Sequence, residues 1–104
     1  MVQLMRWGTE MGLDESLRVI FGPAWDPETA SMEDPAVERV LSFGETVGAL
    51  VKHGLLAREL LVDIFWIEGM WSKVGPHALK AREHEGESSL YENFEALVAD
   101  RVPA

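Results

Sequence analysis

The sequence predicts an all-α fold, a small antiparallel bundle of four to five helices. Three observations carry that prediction. Apolar or small residues at Val37, Val40, Leu41, Gly44, Val47, Gly48 and Val51 recur with the i, i+3, i+4, i+7 spacing of a helix face. No stretch alternates apolar and polar residues over six or more positions, so no strand is expected. Gly and Pro punctuation cuts the chain into short segments whose tight connections place successive helices side by side. With 104 residues, 47% of them hydrophobic and 26% charged, the chain fits one domain of the usual size, about 50–250 residues. The expected division is an acidic N-terminal helix and loop over 1–33 and a helical core over 34–101.

The first segment, Val2 to Phe21, reads as a helix with interior glycines at Gly8 and Gly12. Each costs about 1 kcal/mol against alanine, so a break near Gly12–Asp14 is expected, with Asp14 capping a second piece. Gly22-Pro23 ends it, because the residue before proline avoids helical angles. Pro23 to Glu33 has no sustained period and reads as a loop, its large apolar residue Trp25 pinned onto the core. The second helix starts with Asp34 as N-cap and Pro35 at the first helical position. It ends at Gly54, a residue suited to a left-handed cap. Gly44 and Gly48, four apart on its apolar stripe, admit the close approach of another helix.

The third segment is apolar nearly all round, at Leu56, Leu60, Leu61, Val62, Ile64, Phe65, Trp66, Ile67, Met70, Trp71 and Val74. Such a helix belongs in a core or at a subunit interface. Gly75-Pro76 should kink or break it, with a polar helix continuing from His77 to about Glu85. Pro35–Gly54 and Leu56–Val74 are expected to form the central hairpin. Ser89 and Glu92 have capping-box spacing and should open the last helix, which carries Leu90, Phe94, Leu97 and Val98 on its apolar side.

Composition excludes several classes of function. No run approaches the ~20 apolar residues of a membrane helix, and Met1–Leu13 lacks the apolar centre of a signal peptide. The absence of cysteine removes disulfides, thiolate catalysis and Cys-based zinc sites, and is compatible with a cytoplasmic setting. Eighteen acids against nine bases give a net charge of −9, which disfavours nucleic acid and anionic membranes as partners. Of these charges, seven acids and two bases fall before Pro35.

The candidate chemistry is thin. His77 and His84 stand seven apart, about 10 Å along a helix, too far for two ligands of one zinc. Glu83, Glu85 and Glu87 near His84 read as solvated charge, so neither metal nor cofactor is expected. Lys73, His77, Lys80 and His84 make a basic stripe at i, i+4, i+7 and i+11, best read as one side of a mixed-charge surface. Asp63 and Glu68 interrupt the most apolar segment, but residues five apart on a helix point roughly 140° from each other. They therefore form no acid–base pair by themselves, and an exposed strip suits both. The serines lie in no nucleophile-elbow context and no phosphate-cradling glycine loop is present, so a non-catalytic role is expected.

Trp71-Ser72-Lys73-Val74-Gly75-Pro76, then Arg82, then Tyr91-Glu92-Asn93-Phe94-Glu95-Ala96-Leu97 resembles an uncharacterised family of prokaryotic helical domains. Val40-Leu41-Ser42-Phe43-Gly44-Glu45 and the turn at Gly54-Leu55-Leu56 are similar too, so the likeness spans roughly Pro35 to Val98. It implies an all-helical domain with no established activity and hence no functional residue to carry over. Many members carry transmembrane helices ahead of this region, which this sequence does not show, and Gly44 stands where the family has a bulkier residue.

The reading that follows is an interaction or scaffold module, a homodimer through the apolar third segment. Its interface candidates are Leu60, Ile64, Phe65, Trp66 and Met70. The alternative is a small-molecule-binding regulatory domain whose pocket is lined by Trp66, Met70, Trp71 and Tyr91. An acidic decoy for a basic partner ranks third and needs the acids of residues 10–38 to share a face.

Overall fold

The computed structural model describes residues 2–26 and 34–99, with side chains from residue 6 onward. Six helices follow one another in it: α1 (Val2–Glu10), α2 (Leu13–Ile20), α3 (Pro35–Lys52), α4 (Arg58–Ile64), α5 (Ile67–Glu85) and α6 (Glu92–Ala99). No strand occurs among the described residues, and the all-α prediction holds. Residues 27–33 of the expected loop lie outside the described residues.

The break after the first helix is where the glycines place it, but its cap differs. Gly12, at φ +82°, is the residue before α2, and Asp14 sits with Glu15 in the first turn of that helix. Carboxylates there favour the positive end of the helix dipole without capping it. The start of α3 follows expectation: Asp34 accepts a 2.9 Å hydrogen bond from the Ala36 amide, and Pro35 opens the helix. Trp25 is half-buried against the core, its indole ring 5.9 Å from His77 and its Nε1 donating to Asp34 at 3.3 Å.

Helix α3 is the axis of the core, burying Val37, Val40, Leu41, Phe43 and Val47. Its main partners are α6 and α2, with fewer contacts to α5 and still fewer to α4. The expected central hairpin with the next segment is therefore replaced by a pairing with the last helix. The physical reason lies at the two glycines. A Cβ on Gly44 would stand 2.2 Å from the Phe94 ring, and one on Gly48 would stand 2.4 Å from the Asn93 carbonyl oxygen. Only glycine lets the start of α6 lie so deep against α3.

The third segment divides ten residues earlier than Gly75-Pro76 implies. Helix α4 ends at Ile64, Phe65 is extended (φ −120°, ψ 140°), and α5 begins at Ile67. The break lets Phe65 meet Phe43 edge-on at 5.0 Å. Helix α5 then continues through Pro76 without a break. Pro76 is exposed, and so is Ser72, whose carbonyl loses the proline donor, so solvent can satisfy it. Gly75, immediately before, has no Cβ to clash with the ring, and Trp71 folds over it.

The predicted capping box at Ser89 does not form. The Ser89 amide and hydroxyl both donate to the Glu87 carboxylate, which holds Glu87 below its ordinary range, and α6 starts three residues later. Its free amides are taken instead from across the fold. Glu45 of α3 accepts from the amides of Asn93 and Phe94, both at 3.0 Å, and from the Asn93 side chain at 2.8 Å.

Candidate functional site

The apolar residues predicted to form an interface converge only in part. Met70, 1% exposed, belongs to the core and cannot present itself to a partner. Phe65 is half-buried on Phe43. The remaining three are exposed: Leu60 (45%), Ile64 (40%) and Trp66 (69%). Leu60 and Ile64 are one turn apart and share a ridge of α4, whereas Val62, also exposed, lies on the opposite side of that short helix.

Trp66 is exposed yet held in place. Its ring stacks on Phe21, with centroids 5.5 Å apart and planes 17° from parallel. It also lies over the backbone of Gly69, where an added Cβ would come within 2.3 Å of the indole. Phe21, which sequence reasoning treated only as the end of a helix, is thus half of an aromatic pair on the surface. The signal for it was its position just before Gly22-Pro23, where α2 stops and a terminal side chain is free to reach a neighbour. Beside Trp66 runs an open groove of about 320 Å³, lined by Arg58, Val62, Phe65, Ile67, Glu68, Leu97 and Val98.

The four residues predicted to line a pocket occupy different neighbourhoods. Trp66 is at this corner, Met70 is closed in the core, and Trp71 packs edge-on against Phe94 at 5.0 Å. Tyr91 adopts φ 60° at the entry to α6, facing α3. Partial burial raises its phenol above the ordinary value of 10.0, and the carboxylates of Glu38 and Glu45 raise it further.

The titratable candidates fall apart in the same way. Asp63 and Glu68 are both exposed, as expected, and lie on different helices, α4 and α5. His77 is 2% exposed and packs against Trp25, so the basic stripe loses a member to the core: that turn of α5 faces inward. Among the described residues no three His, Asp or Glu side chains converge where they could hold a metal ion, and no helix is long and apolar enough to cross a membrane.

The residues of the sequence resemblance do come together, as architecture. Trp71 and Gly44 enclose Phe94, Glu45 caps α6, and Arg82 ties the α5–α6 turn. Arg82 donates from Nε to the Leu90 carbonyl at 2.6 Å and pairs with Glu95 at 3.1 Å. Nothing local in the sequence shows that the Glu45 carboxylate caps a helix 48 positions away. The molecule is thus an all-α domain whose shared motif braces its fold and whose surface carries one prearranged aromatic corner. It belongs to the family described as a domain of unknown function, DUF4760, whose model matches residues 13–101. No curated protein and no solved structure matches the chain.

Proposed function

We propose that this chain is a non-catalytic helical interaction module that self-associates, two copies meeting at the α4–α5 corner around Trp66. The observation that supports this reading is the exposed Trp66 indole, already ordered by Phe21 and Gly69. Tryptophan is the residue type most enriched at binding hot spots, and one held rigid before binding loses little freedom on association. One further feature favours a second copy as the occupant. The groove beside Trp66 has Arg58 and Glu68 on its lining, an arrangement that is self-complementary under two-fold symmetry.

Sedimentation velocity over about 1–100 μM, the range of ordinary homodimer affinities, tests the reading. The wild-type chain is expected to dimerise, and Trp66→Ala to weaken the dimer by at least about tenfold, as loss of a hot-spot tryptophan does. Leu60→Glu, on the exposed ridge of α4, should act in the same direction. A wild-type chain that is monomeric throughout, or variants that dimerise as well as it does, would overturn the proposal.

A further inference from the structure

We infer a second site on the far side of Arg58, suited to a small amphiphilic carboxylate: an acid group on a short apolar tail. An open groove of about 340 Å³ runs there between the last turns of α3 and the outer side of α6. Its lining is Gly48, Val51, Lys52, Arg58, Asn93, Ala96 and Leu97. The apolar part is Val51, Ala96 and Leu97, beside the close contact of Gly48 with Asn93. Among the described residues, neither aspartate nor glutamate lines it.

Two cations stand at the groove with no carboxylate partner among the described residues. Arg58 is anchored by one bond, Nε to the Leu97 carbonyl at 3.1 Å. That bond orients the guanidinium and leaves its terminal nitrogens available, the edge with which arginine binds a carboxylate bidentately. Lys52, exposed in the last turn of α3, supplies a second positive charge on the same groove. An apolar tail placed over Ala96 and Leu97 would set its acid group between them. The −9 charge of the whole chain opposes an anion at long range but is screened within about 8–10 Å at ordinary ionic strength. The local pair of cations therefore decides. Arg58 and Leu97 line both this groove and the one beside Trp66, whereas Trp66 lines only the latter, so substitution of Trp66 separates the two readings.

The test is a titration of the isotope-labelled chain with octanoate, followed by amide chemical shifts, with octanamide as the neutral probe of the same shape. Octanoate is expected to move the amides of Gly48, Val51, Lys52 and Ala96 and to bind at least about tenfold more tightly than octanamide, the scale of one charge-assisted contact. Arg58→Gln should lower the affinity about tenfold, and Lys52→Gln, which removes no internal bond, about threefold. Ala96→Trp should abolish binding by filling the groove, whereas Trp66→Ala should leave it unchanged. The inference is overturned if octanoate produces no saturable shifts by about 10 mM, weaker than any specific site of this size. It is equally overturned if octanamide binds as well as octanoate, or if the shifts centre on Trp66.

Discussion

The seam between α3 and α6 and the corner between α4 and α5 use aromatic residues in opposite ways. At the seam Phe94 has no exposure, lies in the space left by Gly44, and is enclosed by Trp71. At the corner Trp66 also rests on a glycine and on a second ring, yet 69% of it meets solvent. Both rings are positioned, but only one is covered. Burial of apolar area stabilises the fold by roughly 25 cal/mol per Å² removed from water, so the seam holds the domain together. The corner leaves its apolar area uncovered, the area that the proposed self-association would use. The difference teaches that order and burial are separate properties, and that an ordered, uncovered aromatic is the better pointer to function.

Substitution can break this contrast. Phe94→Ala is expected to have the largest effect, lowering unfolding free energy in urea by about 3–5 kcal/mol, the range for a buried phenylalanine. Gly44→Val should approach it by forcing a branched side chain against the Phe94 ring, at about 1–3 kcal/mol or more. Glu45→Ala removes three hydrogen bonds and strands the amides that open α6. A loss of about 1–3 kcal/mol is expected, with helix content falling through α6 in hydrogen exchange. If Glu45→Ala leaves stability unchanged, the seam is held by ring packing alone.

At the corner, Trp66→Ala should cost less than about 1 kcal/mol of folding stability, as a mostly exposed residue does, while the dimer weakens as stated above. A large stability loss with unchanged association would reverse the assignment of the two regions. The finest test uses Tyr91, the chain's single tyrosine. Its alkaline titration, read by tyrosinate absorbance, should have a midpoint above 10.0, and Glu45→Gln should bring it closer to that value. Because the folded-state value is the higher one, the protonated phenol contributes stability in full below pH 10. That contribution fades as pH rises through the folded value.

Much of the fold was legible before the structure. The Asp34-Pro35 start of α3, its end near Gly54, the break at Gly12 and the end of α5 near Glu85 all follow from local chemistry. The two aromatic neighbours Phe65 and Trp66 gave no sign that the chain would leave the helix between Ile64 and Ile67, since apolar periodicity runs through them unbroken. Nor did Pro76 show that it would sit on a wet face where its missing donor matters little. Of the interface candidates, Leu60, Ile64 and Trp66 are exposed whereas Met70 is buried, and no local pattern shows that Phe21 reaches Trp66.

What the sequence by itself determined is the helical class, the positions of caps and glycine stops, the acidic charge and the lack of thiol chemistry, because each depends on residues within a turn or two of one another, or on composition. What only the tertiary structure decided is which helix fills the Gly44–Gly48 stripe, that Glu45 caps α6, and which apolar side chains remain uncovered. Those depend on contacts up to 49 residues apart, and no local period encodes the partner of a face.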